Sequence, residues 1–417
     1  MEARAVSHAA VGTRNRSRAK SRGSTFTQLP MRIPLSAPDI TEPEIEAVVA
    51  VLRSPHLSLG PQLPAFEEAF TTLTGVPHAI AVSSGTAGLH LAVRALGLGP
   101  GDEVILPSFT FIAAANTIRY EYATPIFVDI DPVTLNMDPA AVARAITPRT
   151  RALLVVHTFG RPADMTLLLA LAQAHSLPVI EDACEALGAQ YDGRPIGSFG
   201  TLAIFAFYPN KQITTGEGGM VLTPDPQLAN RIRSLRNQGR ASTHARHWLQ
   251  HAELGFNYRL SDIACTLGLG QLARLPEILA RRAHAARLYH QHLAAEPSLL
   301  LPALEVPAPP NTAVSWFVYV VRLVPAFTAE DRDAILQTLH DAGIGGARYF
   351  APIHLQPAYR EWLLQLTDDP ATLPVTEFEA SRTIALPFFN RITESQIAEV
   401  CATLRAAIAT RTPHSEA

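Results

Sequence analysis

From about His78 onward the chain alternates short apolar runs with longer amphipathic stretches. That alternation constrains the fold more than any other feature, because strands separated by helices are joined by crossovers and come to lie parallel in one sheet. The expected strands are Ala79–Val82, Glu103–Leu106, Ile126–Asp129, Leu153–Val156, Val179–Asp182, Leu202–Phe205 and Met220–Leu222. Helical patterns separate most of the first five, whereas the last two are joined by a loop. The expected class is α/β: a large, mainly parallel sheet sandwiched by helices, followed by a smaller C-terminal α/β domain.

At 417 residues the chain is long enough for two domains. A helical pattern from Ser261 to about Ala294 leads out of the first, and Pro302, Pro307, Pro309 and Pro310 then mark a loop. Beyond it come a strand-like Trp316–Leu323, a helix from Ala329 to about Asp341, and a last helix opening at Thr393. Gln396 completes a capping box with Thr393, and Ile392 and Ile397 are spaced as a hydrophobic staple. The expected division is a large domain over 31–275, a linker helix and small domain over 276–412, and a tail over 413–417. Residues 1–30, with Arg and Ser but little apolar pattern, are expected to be a disordered tail or a start assigned upstream of Met31.

Composition narrows the function. A net charge of -3 offers no basic field for nucleic acid, and no apolar run reaches the ~18 residues that a membrane span needs. Cys184, Cys265 and Cys401 are odd in number, widely spaced and without metal-ligand spacing, so reduced thiols, a cytoplasmic location and no metal site are expected.

Only two of the 34 basic residues are lysines, and one of them, Lys20, lies in the N-terminal segment. The other, Lys211, joins the aromatic run Phe205-Ala206-Phe207-Tyr208 to the turn Thr215-Gly216-Glu217-Gly218-Gly219. An amine among apolar neighbours loses proton affinity and becomes a nucleophile. Ser83-Ser84-Gly85-Thr86-Ala87-Gly88 follows a strand and opens a helix, where backbone N–H groups can hold a phosphate, though such turns are also Gly-rich for steric reasons. Asp182 ends a strand, where open α/β sheets bind ligands; it could cap a helix, or with Lys211 could pair with a pyridine nitrogen. Phe111, after another strand, could be a core aromatic or a platform for a planar cofactor. Together these are the parts that pyridoxal phosphate (PLP) requires.

The chain resembles the DegT and StrS group of PLP-dependent sugar aminotransferases, of fold type I. The resemblance runs from Ile33-Pro34-Leu35-Ser36 to near the C-terminus, through Ser58-Leu59-Gly60-Pro61, Val128-Asp129-Ile130, Val156-His157-Thr158-Phe159-Gly160 and Glu181-Asp182-Ala183. It continues in Lys211 with its Gly-rich turn, Gly255-Phe256-Asn257-Tyr258-Arg259 and Pro352-Ile353-His354-Leu355-Gln356-Pro357. The resemblance implies that Lys211 forms the Schiff base, Asp182 pairs with the pyridine nitrogen, Gly85, Thr86 and Ala87 bind the phosphate, and Phe111 stacks on the ring. It implies further that Asn257 reaches the phosphate of a neighbouring subunit in a homodimer with shared sites, and that Arg259 and His354 lie on the substrate side.

Two positions depart from the pattern. Glu185 stands beside the cofactor where the family often has Gln or His, and Ala206 stands where it often has a phosphate-binding Ser. The expected reaction moves an amino group from an amino acid, glutamate foremost, to a nucleotide-linked keto sugar, making an amino sugar for polysaccharide or secondary-metabolite biosynthesis. A keto-cyclitol acceptor and a regulatory or sensory protein on the same scaffold are the alternatives. A dehydratase of the same group is disfavoured, because those relatives replace the lysine by histidine. Arg161, Arg259 and Arg348 are candidate diphosphate contacts.

Overall fold

The period of two along each strand sorts its side chains onto two faces, and in the computed structural model both faces are buried. The structure describes residues 31–240, 249–304, 309–366 and 372–411; the tails expected at 1–30 and 413–417 lie outside them. Seven strands form the main sheet: β1 (His78–Val82), β2 (Glu103–Pro107), β3 (Thr124–Val128), β4 (Thr150–Val156), β5 (Val179–Asp182), β6 (Leu202–Ala206) and β7 (Gly219–Thr223). Their spatial order is β1-β7-β6-β5-β4-β2-β3. β3, β2, β4, β5 and β6 run parallel, and β7 is antiparallel to both of its neighbours. The reversal follows from the link: β6 and β7 are joined without a crossover helix, so the chain turns back beside itself.

Around the sheet lie α1 (Glu42–Leu52), α2 (Gln62–Thr74), α3 (Gly85–Ala95), α4 (Ala113–Tyr120), α5 (Pro139–Ala145), α6 (Met165–Ala174), α7 (Pro226–Arg236), α8 (Asp262–Ala273) and α9 (Leu275–Leu293). On one face Ala79, Ala81, Ile105, Leu153 and Phe205 share a core with Phe66 and Phe70 of α2, Leu168 of α6 and Cys265 of α8. On the other, Ile80, Val82, Val104, Leu154 and Ile204 pack with Leu89 of α3, Ile118 of α4 and Ile232 of α7. The neighbouring pairs Ala79/Ile80 and Ala81/Val82 thus face opposite helical layers, as the pleat dictates.

A second, antiparallel sheet is made of β8 (Leu299–Leu300), β9 (Tyr319–Leu323) and β10 (Thr383–Leu386). It is accompanied by α10 (Ala329–Asp341), α11 (Pro357–Leu366), α12 (Pro374–Arg382) and α13 (Glu394–Ala409). Its core joins Tyr319 and Val321 to Ile335, Leu339, Val400 and Leu404, and takes in Tyr289 and Leu293 from the end of α9. The start of α9, at Leu275 and Ile278, belongs to the core under the main sheet. That helix therefore ties the two cores together. Thr393 caps α13 in the expected box, with Gln396 N–H donating to its Oγ1 at 3.2 Å and its own N–H to Gln396 Oε1 at 2.9 Å. Ile392 packs against the core that holds Ile397.

Two elements differ from expectation. The single helix read over Ser261–Ala294 is two, broken at Arg274, because Pro276 sits in the first turn of α9 and lacks the N–H that would continue the α8 ladder. The strand expected from Trp316 begins at Tyr319, leaving Trp316 and Phe317 to line cavities. Among the described residues no helix is long and apolar enough to cross a membrane.

Candidate active site

The C-terminal ends of β1, β2, β5 and β6 share one edge of the sheet, and the loops that leave them close around a cavity of about 630 Å³. Ser84, Gly85 and Thr86 reach it from the start of α3, Phe111 from beyond β2, Asp182 and Glu185 from the end of β5, and Lys211 from the β6–β7 loop. The structure therefore brings together Lys211, Asp182, Glu185, Gly85, Thr86 and Phe111.

At the start of α3, Ser84 Oγ accepts the Ala87 N–H at 3.0 Å, while the N–H groups of Gly85 and Thr86 have no protein acceptor among the described residues. Two free donors and the positive end of a helix form an anion cradle. A Cβ on Gly85 would stand 2.6 Å from Ala206 Cβ and 3.1 Å from the Cys184 sulfur, so the close approach of α3 to β6 requires glycine there and a small partner at 206. Ala87, expected to bind the phosphate, lies outside the cavity lining, and its N–H is not free for an anion because Ser84 Oγ accepts it.

Asp182 is 8% exposed, and its Oδ1 accepts the Cys184 N–H at 3.2 Å. Burial, reinforced by Asp182, pushes the Cys184 thiol well up, so it is held as an inert thiol. Lys211 extends its amine over the ring of Phe317, 4.0 Å from the centroid and 3.5 Å from Glu185 Oε1. The other Glu185 oxygen accepts the Phe159 N–H at 2.9 Å. Burial raises the Glu185 carboxyl above its ordinary range, against the pull of the Lys211 amine.

Of the remaining predicted residues, Arg348 reaches the cavity and the others lie outside it. Asn257 is exposed and outside the cavity of its own chain, and Arg259 donates to Asn237 Oδ1 at 3.0 Å. His354 is buried behind the wall, its Nδ1 2.7 Å from Ser108 Oγ and its Nε2 3.3 Å from Glu377. Its imidazole is pushed down by burial, which outweighs the help of Glu377. Arg348 lines the cavity and pairs with Asp333 at 2.6 Å; Arg161 faces a different one.

Sequence reasoning missed Arg282 of α9, which is 2% exposed and donates to the carbonyls of Lys211 at 3.1 Å, Asn210 at 3.4 Å and Phe317 at 3.5 Å. One guanidinium holds both the lysine's backbone and the residue under its amine. Nothing in the run Arg281-Arg282 separates the buried arginine from the exposed one.

The match to a family model, over residues 38–405, decides the identity. The chain belongs to the DegT/DnrJ/EryC1/StrS aminotransferase family. Solved structures agree. The aminotransferase TlmJ from Streptoalloteichus hindustanus is 36% identical, with a TM-score of 0.83 over 91% of this chain and 99% of that one. DesV of S. venezuelae, solved with a ketimine intermediate, is 38% identical, with a TM-score of 0.78 over 87% and 94%. Spr1654 of Streptococcus pneumoniae, solved in PLP and PMP forms, is 28% identical, with a TM-score of 0.83 over 91% and 99%. This family member is a PLP-dependent transaminase of fold type I.

The cavity fits that cofactor. The cradle at Gly85 and Thr86 suits a phosphate, and Asp182 offers a carboxylate at the sheet edge. Asn210 lines the same space with its side-chain oxygen buried and unpaired. Bound there, PLP supplies a carbonyl that captures amines and a ring that accepts electrons.

Proposed function

We propose that this aminotransferase carries an amino group from an amino acid, L-glutamate foremost, to a keto sugar borne on a nucleotide diphosphate, making an amino sugar for polysaccharide or secondary-metabolite biosynthesis. The observation that carries the reading is the convergence of Lys211, Asp182 and the Gly85–Thr86 cradle in one cavity of about 630 Å³, a size suited to a cofactor together with a substrate. Arg348 and the rings of Phe111, Tyr349 and Phe350 on its walls suit a charged, ring-bearing acceptor.

In this reading Lys211 Nζ would take the proton from the donor's α-carbon and later give it up again, acting as base and then acid. Asp182 keeps a proton on the ring nitrogen. Glu185, anchored by the Phe159 N–H, stands against the Lys211 amine and holds it over the Phe317 ring. Gly85 and Thr86 would donate to the phosphate, Ala87 shapes the turn, and Phe111, 64% exposed, would be free to stack on the ring. The exposure of Asn257 supports a homodimer in which it completes the partner's site. Arg259 is assigned to the same rim, and His354 to orienting the Ser108 loop. A cytoplasmic location is part of the same proposal.

The test is a panel of UDP-, GDP- and dTDP-linked keto sugars, incubated with the enzyme and L-glutamate and followed by product mass. An amino-sugar nucleotide is the expected product. Turnover of a free keto cyclitol with none of the nucleotide sugars would overturn the acceptor class.

A further inference from the structure

Arg161 follows the Val156-His157-Thr158-Phe159-Gly160 segment yet contributes nothing to the PLP cavity. It is 8% exposed and donates Nη2–H to the Ala303 carbonyl at 2.9 Å, with no carboxylate partner among the described residues. Beside it stands Arg322 of β9, which shares a carboxylate with Arg382 of α12: Glu379 is 3.0 Å from Arg322 and 2.7 Å from Arg382. Arg322 and Arg382 thus share one carboxylate, and Arg161, beside Arg322, pairs with no carboxylate among the described residues. Arg161 is pushed below its ordinary range by burial and then by the charge of Arg322. A buried excess of positive charge is costly unless an anion offsets it.

Beside this group is a second cavity, of about 110 Å³, lined by Thr158, Arg161, Arg322, Trp316, Val318 and Leu301 among others. The Thr158 hydroxyl is buried and makes no hydrogen bond among the described residues. Phe159 lines this cavity too, and its ring stacks on Phe350, centroids 5.3 Å apart, which lines the PLP cavity. The two spaces are therefore separate, with an aromatic wall between them.

We propose that this second cavity binds a small carboxylate, whose oxygens take the Arg161 N–H groups that have no acceptor among the described residues and the hydroxyl of Thr158, and whose short apolar chain lies against Trp316 and Val318. The positive excess selects an anion, the guanidinium suits a carboxylate, and the apolar walls favour a hydrocarbon tail over a fully hydrated ion.

Trp316, one of three tryptophans in the chain, is a built-in reporter. Titrating the full-length holoenzyme with sodium butyrate, at ionic strength held constant with chloride, is expected to give a saturable change in tryptophan fluorescence that Trp316→Phe abolishes. Arg161→Met should weaken binding about tenfold or more, as loss of a charged hydrogen bond implies. Thr158→Val, which keeps the charge and the volume, should weaken it less, and Lys211→Ala should leave it unchanged. Retention of the cofactor's absorbance shows that each of the three cavity variants is folded. The proposal is overturned if butyrate acts no differently from chloride, if Arg161→Met and Thr158→Val both bind as the parent does, or if Lys211→Ala abolishes binding. It is also overturned if binding appears only in Glu305→Gln, a position outside the described residues, since the chain's own carboxylate would then be the occupant.

Discussion

Replacing Arg282 by methionine separates what this buried cation does for stability from what it does for the reaction. Its guanidinium sits 2% exposed against three backbone carbonyls, with Nε unpaired, and burial pushes it down to about 10. Losing three donors removes about 1 kcal/mol each, roughly 3 kcal/mol in total. Removing an unpaired buried charge relieves a desolvation cost of several kcal/mol. The two effects oppose each other, so unfolding free energy should change by no more than about 2 kcal/mol, a shift of a few degrees in melting temperature for a chain of this length. Catalysis has no such offset. The Lys211 carbonyl and the Phe317 carbonyl lose their common tether, and a displacement of about 1 Å between amine and reacting carbon costs ~100-fold in rate. The assay is kcat and KM for L-glutamate beside a denaturant titration. The expected pattern is kcat down by about 10- to 100-fold, KM for the donor little changed, and Arg282→Lys in between. An unchanged kcat in Arg282→Met would refute the tether, and a stability loss beyond ~5 kcal/mol would refute the offset.

Lys211→Ala should abolish turnover and the absorbance of covalently held cofactor; persistence of either would remove Lys211 from its role. Gly85→Ala should cost about 1–3 kcal/mol and weaken cofactor retention, because the new methyl meets Ala206 at 2.6 Å; equilibrium dialysis of the cofactor checks this. For Glu185, the folded carboxyl titrates above its unfolded value, so its contribution is full below ~4 and is lost as pH rises through the folded value. Glu185→Gln should therefore gain stability relative to the parent as pH rises from about 4 to 7 in the cofactor-free protein, and a difference flat with pH would contradict it.

The strands of the main sheet were legible because each is an apolar run bounded by turns, and burial on both faces demands that composition. The direction of β7 showed only in its helix-free link to β6, since a strand by itself reads the same whichever way its neighbours run. The break at Arg274 was hidden for a related reason: the apolar period runs through it, and only Pro276 marks the new start. Lys211 could be found because lysine is rare in this chain, and Asp182 because it ends a strand at the edge where ligands bind. Arg282 and Arg161 could not, because an arginine's burial depends on what packs over it and leaves no local mark.

β7 lies between β1 and β6, so the lysine-bearing loop is clamped at both ends by neighbouring rungs of an interior ladder. Shifting it requires breaking the β6–β7 rungs, and neither of those strands is itself an edge of the sheet. Amide protons of Phe205 and Met220, opposite each other across that ladder, should exchange with solvent only through opening of the whole domain, with or without cofactor. The empty protein would then present its amine already in place, and cofactor uptake would be limited by entry into the cavity.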